Sequence, residues 1–493
     1  MIRSLDFRQV LGRGLSRRDL LHMGTLAPLG FPLASFTQAA SDEFSPNVNQ
    51  FGSAKRCILI YLWGSPSQLE TFDPKPDAPL NVRGEFLSIP TAIPGVRIGG
   101  ILPRIAGLLD RVTILRTLTH PYPIHGTAFA VTGVPSTDLQ LEGNTRDPRH
   151  WPFIGSVIDF LGERADPTPS AVPRNFGLPF PIGSRRRVKP GPFGGFLGPT
   201  YDTLWSDFRA KGTREVLRDS GAPDVPTMMV ADPFLGILPT DRFESLASHE
   251  SLTSDRLTSR ASLLDELSAA RGAYARQTSE ATFQRHQALA RSVVLSGKLR
   301  DALDVQREPM KTRDRYGMTL FGQSCLAARR LLEVGGKFVT VCWDEYGLVN
   351  TGWDTHVHMR SRLKEELGPG FDNAFASLVE DLETRGMLDD TAIVVVSEHG
   401  RTPVVQNVSG GGRDHWSRAY SAIFAGGGFA KGHVVGRTDH IAGEVSENPF
   451  SPKDIVATLF HLLGIDPQTE IHDRLGRPYP IGGTGRVRSE LLS

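Results

Sequence analysis

The sequence is poor in cysteine, with 3 in 493 residues: Cys57, Cys325 and Cys342. Three thiols cannot form a disulfide framework, so an ordinary packed core must hold the fold. Cys57 and Cys342 lie in apolar runs and read as buried thiols. Net charge is nearly absent as well. The 55 Lys and Arg against 54 Asp and Glu leave +1, which excludes a nucleic-acid binder held by bulk electrostatics. No apolar run is long enough to span a bilayer. The best candidate, Met23 to Phe36, is short and broken by Gly24, Pro28, Gly30 and Pro32. Internal repeats and low-complexity tracts are missing too. Glycine and proline are plentiful, 51 and 35, and imply many loops. Hydrophobic content of 39% and charge of 22% are ordinary for a globular protein. The length suits one large domain or two to three smaller ones.

The densest chemistry lies between Thr391 and Trp416. Ala392 to Ser397 reads as a buried strand, because Ile393, Val394, Val395 and Val396 are β-branched and apolar. It stops at Glu398-His399-Gly400, where the glycine suits a sharp turn. A glycine-rich loop, Ser409 to Gly412, then leads to Arg413-Asp414-His415. Ligands of open α/β sheets bind at such strand ends.

The same arrangement recurs along the chain. Arg56 to Trp63 reads as a buried strand whose loop carries Glu70 and Asp73. A strand from Val112 to Leu115 precedes His120, His125 and Thr127, the last two near the start of a short helix that would favour an anion. Lys337 to Trp343 is a strand leading to Asp354, His356 and His358. Helices are expected at Leu102–Leu109, Ile154–Leu161, Phe321–Val334, Phe371–Gly386 and Lys453–Leu463. The predicted fold is α/β, a mostly parallel sheet sandwiched by helices with a helical insert. Residues 55–493 form this domain, with the insert at about 163–310 and helical periodicity over residues 253–305. Arg185-Arg186-Arg187 is a basic spot in a loop.

The N-terminus reads as an export signal. Ser16-Arg17-Arg18-Asp19-Leu20-Leu21 is similar to a twin-arginine motif, and small residues up to Ala40 suit a cleavage site. Residues 41–54 are then a linker. The expected location is the periplasm, or export generally by that route.

Mixed His and carboxylate side chains suit a divalent ion. Asp354, His356, Glu398, His399 and His415 are the candidate ligands of one or two ions, zinc, calcium or manganese. Two ions about 4 Å apart would clamp the attacking and leaving oxygens of a phosphate or sulfate ester. Thr127 is then the candidate nucleophile with His125 beside it, and Arg401 and Arg413 the candidate anion holders.

Long stretches resemble one family. LWGSPSQLETFDPKP, LPRIAGLLDRVTILRTLTH, HGTAFAVTG, WDTH, SEHGRTP, GGRDHW and VATLFHLLGIDP look like the bacterial domain-of-unknown-function 1501 family, over nearly all of the mature chain. The resemblance implies an alkaline phosphatase-like fold and a metal-assisted ester hydrolysis ancestry. Ser397–Gly400 is similar to that superfamily's Asp-His pair, with Glu398 in place of the Asp. His415 resembles its late His ligand, and Asp354 with His356 the remaining pair, with His358 as the alternative. After the first strand, Trp63-Gly64 stands where the superfamily has a metal-binding Asp, and Glu70 or Asp73 is left to compensate. Two functions follow. One is an exported metal-dependent hydrolase of sulfate or phosphate esters, acting on an anionic small molecule or polysaccharide. The other is a non-catalytic anion- or metal-binding envelope protein with a protein partner.

Overall fold

The computed structural model describes residues 50–122, 125–135, 143–166, 168, 172–183, 188–208, 211–218, 227–244, 287, 297–344 and 352–493. The expected export signal, the Arg185–Arg187 spot and most of the helical stretch at residues 253–305 lie outside them. Residues 50–54, expected to end a linker, are tied into the domain: Gly52 N donates to His461 O at 3.1 Å and Ala54 N to Leu462 O at 2.9 Å.

Among the described residues, eight strands form the central sheet. In chain order they are β1 (Arg56–Leu62), β2 (Val112–Leu118), β3 (Asn175–Leu178), β4 (Leu204–Trp205), β5 (Phe338–Trp343), β6 (Thr391–Val396), β7 (Tyr420–Ala425) and β8 (His433–Val435). Across the sheet the order is β8-β2-β7-β6-β1-β5-β3-β4. β1 lies in the middle, parallel to β6 on one side and β5 on the other. All six residues of β6 are buried, as a strand covered on both faces must be. Full burial of each Val or Ile side chain contributes roughly 1.5–3 kcal/mol.

Alternate residues of β1 feed two cores. Ile58, Ile60 and Leu62 join the core that contains Leu326, Phe371 and Leu378, from α3 (Leu320–Glu333) and α4 (Gly368–Thr384). Cys57, Leu59, Tyr61 and Trp63 join the core that contains Ile154, Val157, Ile455 and Leu459, from α2 (Ile154–Ala165) and α5 (Pro452–Leu462). This two-residue alternation sends Tyr61 and Trp63 to the side that also carries α1 (Thr127–Thr132).

The sheet is mostly parallel, as expected, with one internal strand reversed. β7 runs antiparallel to β6 and β2. A parallel return would need a crossover, and residues 397–419 contain no helix, so the chain comes back down from the end where it left. Within the expected insert, β3 and β4 extend the sheet in parallel beside β5.

Candidate functional site

Register sets the site. Tyr61 pairs with Val396 and Leu62 with Trp343, so β1, β6 and β5 end level. Glu398-His399 and Trp63-Gly64 therefore face each other, and the loop after β5 brings Asp354 alongside. Gly64 has φ +89°, and a Cβ there would lie 2.2 Å from Asp354 N. No side chain fits at that strand end. Gly400 serves packing, not a turn: a Cβ would meet Gln68 Oε1 and the Tyr420 Cβ at 2.7 Å.

Asp354 is the hub. Its Oδ1 lies 3.1 Å from His356 Nε2 and 3.4 Å from His415 Nε2, and its Oδ2 3.5 Å from His125 Nε2. The two Nε2 atoms of His356 and His415 are 3.0 Å apart. Arg401 Nη2 donates to Asp354 Oδ1 at 2.6 Å. Burial opposes ionisation of Asp354, but Arg401 and the three imidazoles outweigh it and hold the carboxyl well below its usual range.

The imidazoles are held from behind. His356 Nδ1 bonds Asp414 Oδ1 at 2.7 Å, His399 Nδ1 bonds Gly400 O at 2.8 Å, and His125 Nδ1 bonds Glu398 Oε1 at 2.7 Å. Each acceptor places a proton on Nδ1, which leaves Nε2 to face the cluster. Burial keeps His399 neutral by pushing its pKa well below 6.5, and lowers that of His415. Burial also disfavours charge on His125, but Asp354 and Glu398 reverse the balance and raise it to about 9.

Glu398 is 2% exposed. Its Oε1 accepts from Gly64 N at 2.9 Å and from His125, and its Oε2 from the Tyr61 hydroxyl at 2.9 Å. His120 Nε2 donates to the Glu398 carbonyl at 2.7 Å. Against the cost of burial, His125 lowers the Glu398 pKa to about 2. Thr127 is the first residue of α1 and fully buried, its hydroxyl 3.3 Å from that of Tyr61.

Donor atoms of His125, His399 and His415 lie within 4.8 Å of one another, as do those of Asp354, His356 and His415. The donor set fits a metal ion. His399 Nε2 is buried with no hydrogen-bond partner, which is costly for a polar atom unless something binds it. Imidazole nitrogens with one carboxylate suit zinc and similar ions, whereas calcium takes six to eight oxygens.

Of the expected site residues, Asp354, His356, His399, His415 and His125 come together. Glu398 adjoins the cluster but stands outside both donor groups. His358 is in neither. Arg413, expected to hold an anion, is fully buried and spent elsewhere: Nε donates to both Glu70 oxygens at 3.1 Å, Nη1 to Thr402 O at 3.0 Å and Nη2 to Val82 O at 2.7 Å. Arg401 is equally engaged, by Asp354, the Ser65 carbonyl at 3.1 Å and the Arg413 carbonyl at 3.2 Å. Asp73 does not compensate for the missing acid; it pairs with Lys75 at 3.0 Å and Arg116 at 3.4 Å.

Some contributors went unassigned in the sequence reading. Tyr61 is visible as a hydroxyl within the apolar run Cys57–Leu62, and Asp414 as the neighbour of His415. Trp63 stacks on His125 with ring centroids 4.9 Å apart, and Lys189 Nζ lies 5.0 Å from the Trp63 ring centroid. Next to the cluster, Gln406 bonds Asp414 and also lines a cavity of about 490 Å³ with Asn81, Glu85, Phe86, Arg360 and Asn407.

A protein-family model described as "Protein of unknown function (DUF1501)" matches residues 54–492. No curated protein matches the sequence. Among solved structures, the PsFucS1 sulfatase from Pseudoalteromonas sp. is 12% identical, with 94% of this chain and 77% of that chain covered and a TM-score of 0.39. A protein in the alkaline phosphatase superfamily from Vibrio parahaemolyticus is 10% identical, covering 91% and 75% at a TM-score of 0.36. The lipoteichoic acid synthase LtaP from Listeria monocytogenes is 12% identical, covering 92% and 80% at 0.37.

Proposed function

The chain belongs to the DUF1501 family, and we propose that it is a metal-dependent hydrolase of phosphate or sulfate esters. The convergence of Asp354 with the Nε2 atoms of His125, His356, His399 and His415 carries this reading. When bound there, a zinc-like ion supplies Lewis acidity toward an ester oxygen.

The chain's own residues supply the rest. Asp414, Gly400 O and Glu398 lock three imidazoles in orientation. Arg401 balances the buried charge of Asp354. Lys189 makes no ion pair among the described residues, and its cation beside Trp63 suits an anionic ester. Asn81, Gln406, Asn407 and Arg360 give the neighbouring cavity amide and guanidinium groups for the body of a polyhydroxylated substrate. The twin-arginine-like segment at Ser16–Leu21 supports export to the periplasm.

A second reading has one observation in its favour. The fully buried Thr127 hydroxyl bonds Tyr61, so the residue that would attack an ester is engaged within the fold. On that reading the site binds an anion or metal without turnover, within an envelope assembly. The test is hydrolysis of nitrophenyl phosphate and nitrophenyl sulfate by zinc- or manganese-loaded protein. Hydrolysis that chelation stops and His399→Ala abolishes is expected. Failure to hydrolyse either ester with metal bound favours the binding protein, and turnover that survives His399→Ala moves the chemistry elsewhere.

A further inference from the structure

We propose that the cluster holds one metal ion, not two, and that Glu398 is a positioning residue for His125 instead of a ligand. This rests on the metal-dependent reading above and sharpens it.

The count follows from His415. Both donor groups include it. A neutral imidazole offers a single lone pair at Nε2, so His415 cannot serve two ions through that atom. The separations agree. His356 Nε2, His415 Nε2 and Asp354 Oδ1 lie 3.0, 3.1 and 3.4 Å from one another. Ligands around one tetrahedral ion with bonds of about 2.1 Å stand roughly 3.4 Å apart. The strand end where a second ion would need an acid is filled. A side chain at Gly64 would collide with the Asp354 backbone, and the Trp63 ring stacks on His125.

The role of Glu398 follows from its partners. Three donors, Gly64 N, Tyr61 Oη and His125 Nδ1, occupy its two oxygens within 2.9 Å. A carboxylate so engaged has little left for an ion. It does what Asp414 does for His356 and the Gly400 carbonyl does for His399, fixing the tautomer and ring orientation from behind. Glu398 has left the donor group and His125 has entered it, so the Glu-His pair contributes one donor, not two.

The experiment is stoichiometry. Chelator-stripped full-length protein is titrated with Zn²⁺, and bound metal is counted by elemental analysis and calorimetry. One ion per chain is expected. Glu398→Gln is expected to keep one ion with affinity weakened 10–100-fold, and His415→Ala to lose it. Two ions per chain, or a fall from two to one in Glu398→Gln, overturns this inference and leaves the hydrolase reading standing. No bound ion overturns both. If Glu398→Gln does not fold, Tyr61→Phe perturbs the same carboxylate without removing a donor of the cluster. It is expected to keep one ion, and loss of the ion from a folded Tyr61→Phe overturns the positioning role.

Discussion

The loops after β1 and β6 leave adjacent parallel strands at matched register, and both carry buried acids. Their acids do opposite things. Glu70, after β1, is gripped by the Arg413 guanidinium, and Asp73 by Lys75 and Arg116. Glu398, after β6, faces an imidazole, a phenol and an amide, and Asp354 beside it gathers three imidazoles around one guanidinium. Position at a strand end is shared, so position does not decide function. The partner does. A guanidinium alone neutralises Glu70 permanently, because it cannot lose its proton, while the imidazoles that share Asp354 with Arg401 leave that carboxylate open to a metal.

The comparison breaks most visibly if Glu70 is not structural. Glu70→Ala leaves Arg413 as an unpaired buried charge, and such losses run to roughly 3–5 kcal/mol. Denaturant melts are expected to show a destabilisation of that size, with the Zn²⁺ affinity of the folded protein unchanged. A stable variant that has lost Zn²⁺ would place Glu70 in the site.

Much of this architecture is legible in the sequence. The Cys57–Leu62 and Ala392–Val396 runs are short, continuous and apolar with β-branched residues, the pattern of a doubly covered strand. Asp354, His356, His399 and His415 are legible because each follows such a strand. What the sequence hides is pairing at a distance. Arg413 sits two residues from His415 and looks like its companion, yet it finds Glu70 at a separation of 343 residues. Glu398 looks like a ligand beside His399, yet His125, 273 residues earlier, decides its role.

A smaller effect is expected with pH in the metal-free protein. His399 and His415 have folded pKa values below 6.5, so the unfolded chain takes up more protons and stability falls as pH drops below about 6.5. His125 is shifted the other way, to about 9; its contribution is complete below 6.5 and is lost as pH rises from 6.5 through 9. Glu398, at about 2, adds stability that is lost only as pH falls below about 4.5. The melting temperature of chelated protein should therefore peak near pH 6.5. A flat profile from 6.5 to 9 would mean that Glu398 and Asp354 do not hold a proton on His125.

The smallest effect sharpens the contrast among the cations. Arg401 and Arg413 are consumed by the fold, whereas Lys189 rests on the Trp63 ring with no carboxylate partner among the described residues. If Lys189 meets the substrate's charge, Lys189→Met should raise KM for a nitrophenyl ester about tenfold, roughly 1.4 kcal/mol of binding. With kcat unchanged, the loss is of uniform binding. The cation–π contact itself, with Lys189 half-buried over the buried Trp63 ring, is worth only about 0.5–2 kcal/mol, so the melting temperature should move little. A fall in kcat at constant KM would instead mean that Lys189 acts on the transition state, beside His125 through the shared Trp63 ring. The end of β1 would then contribute to the chemistry as well as to the packing.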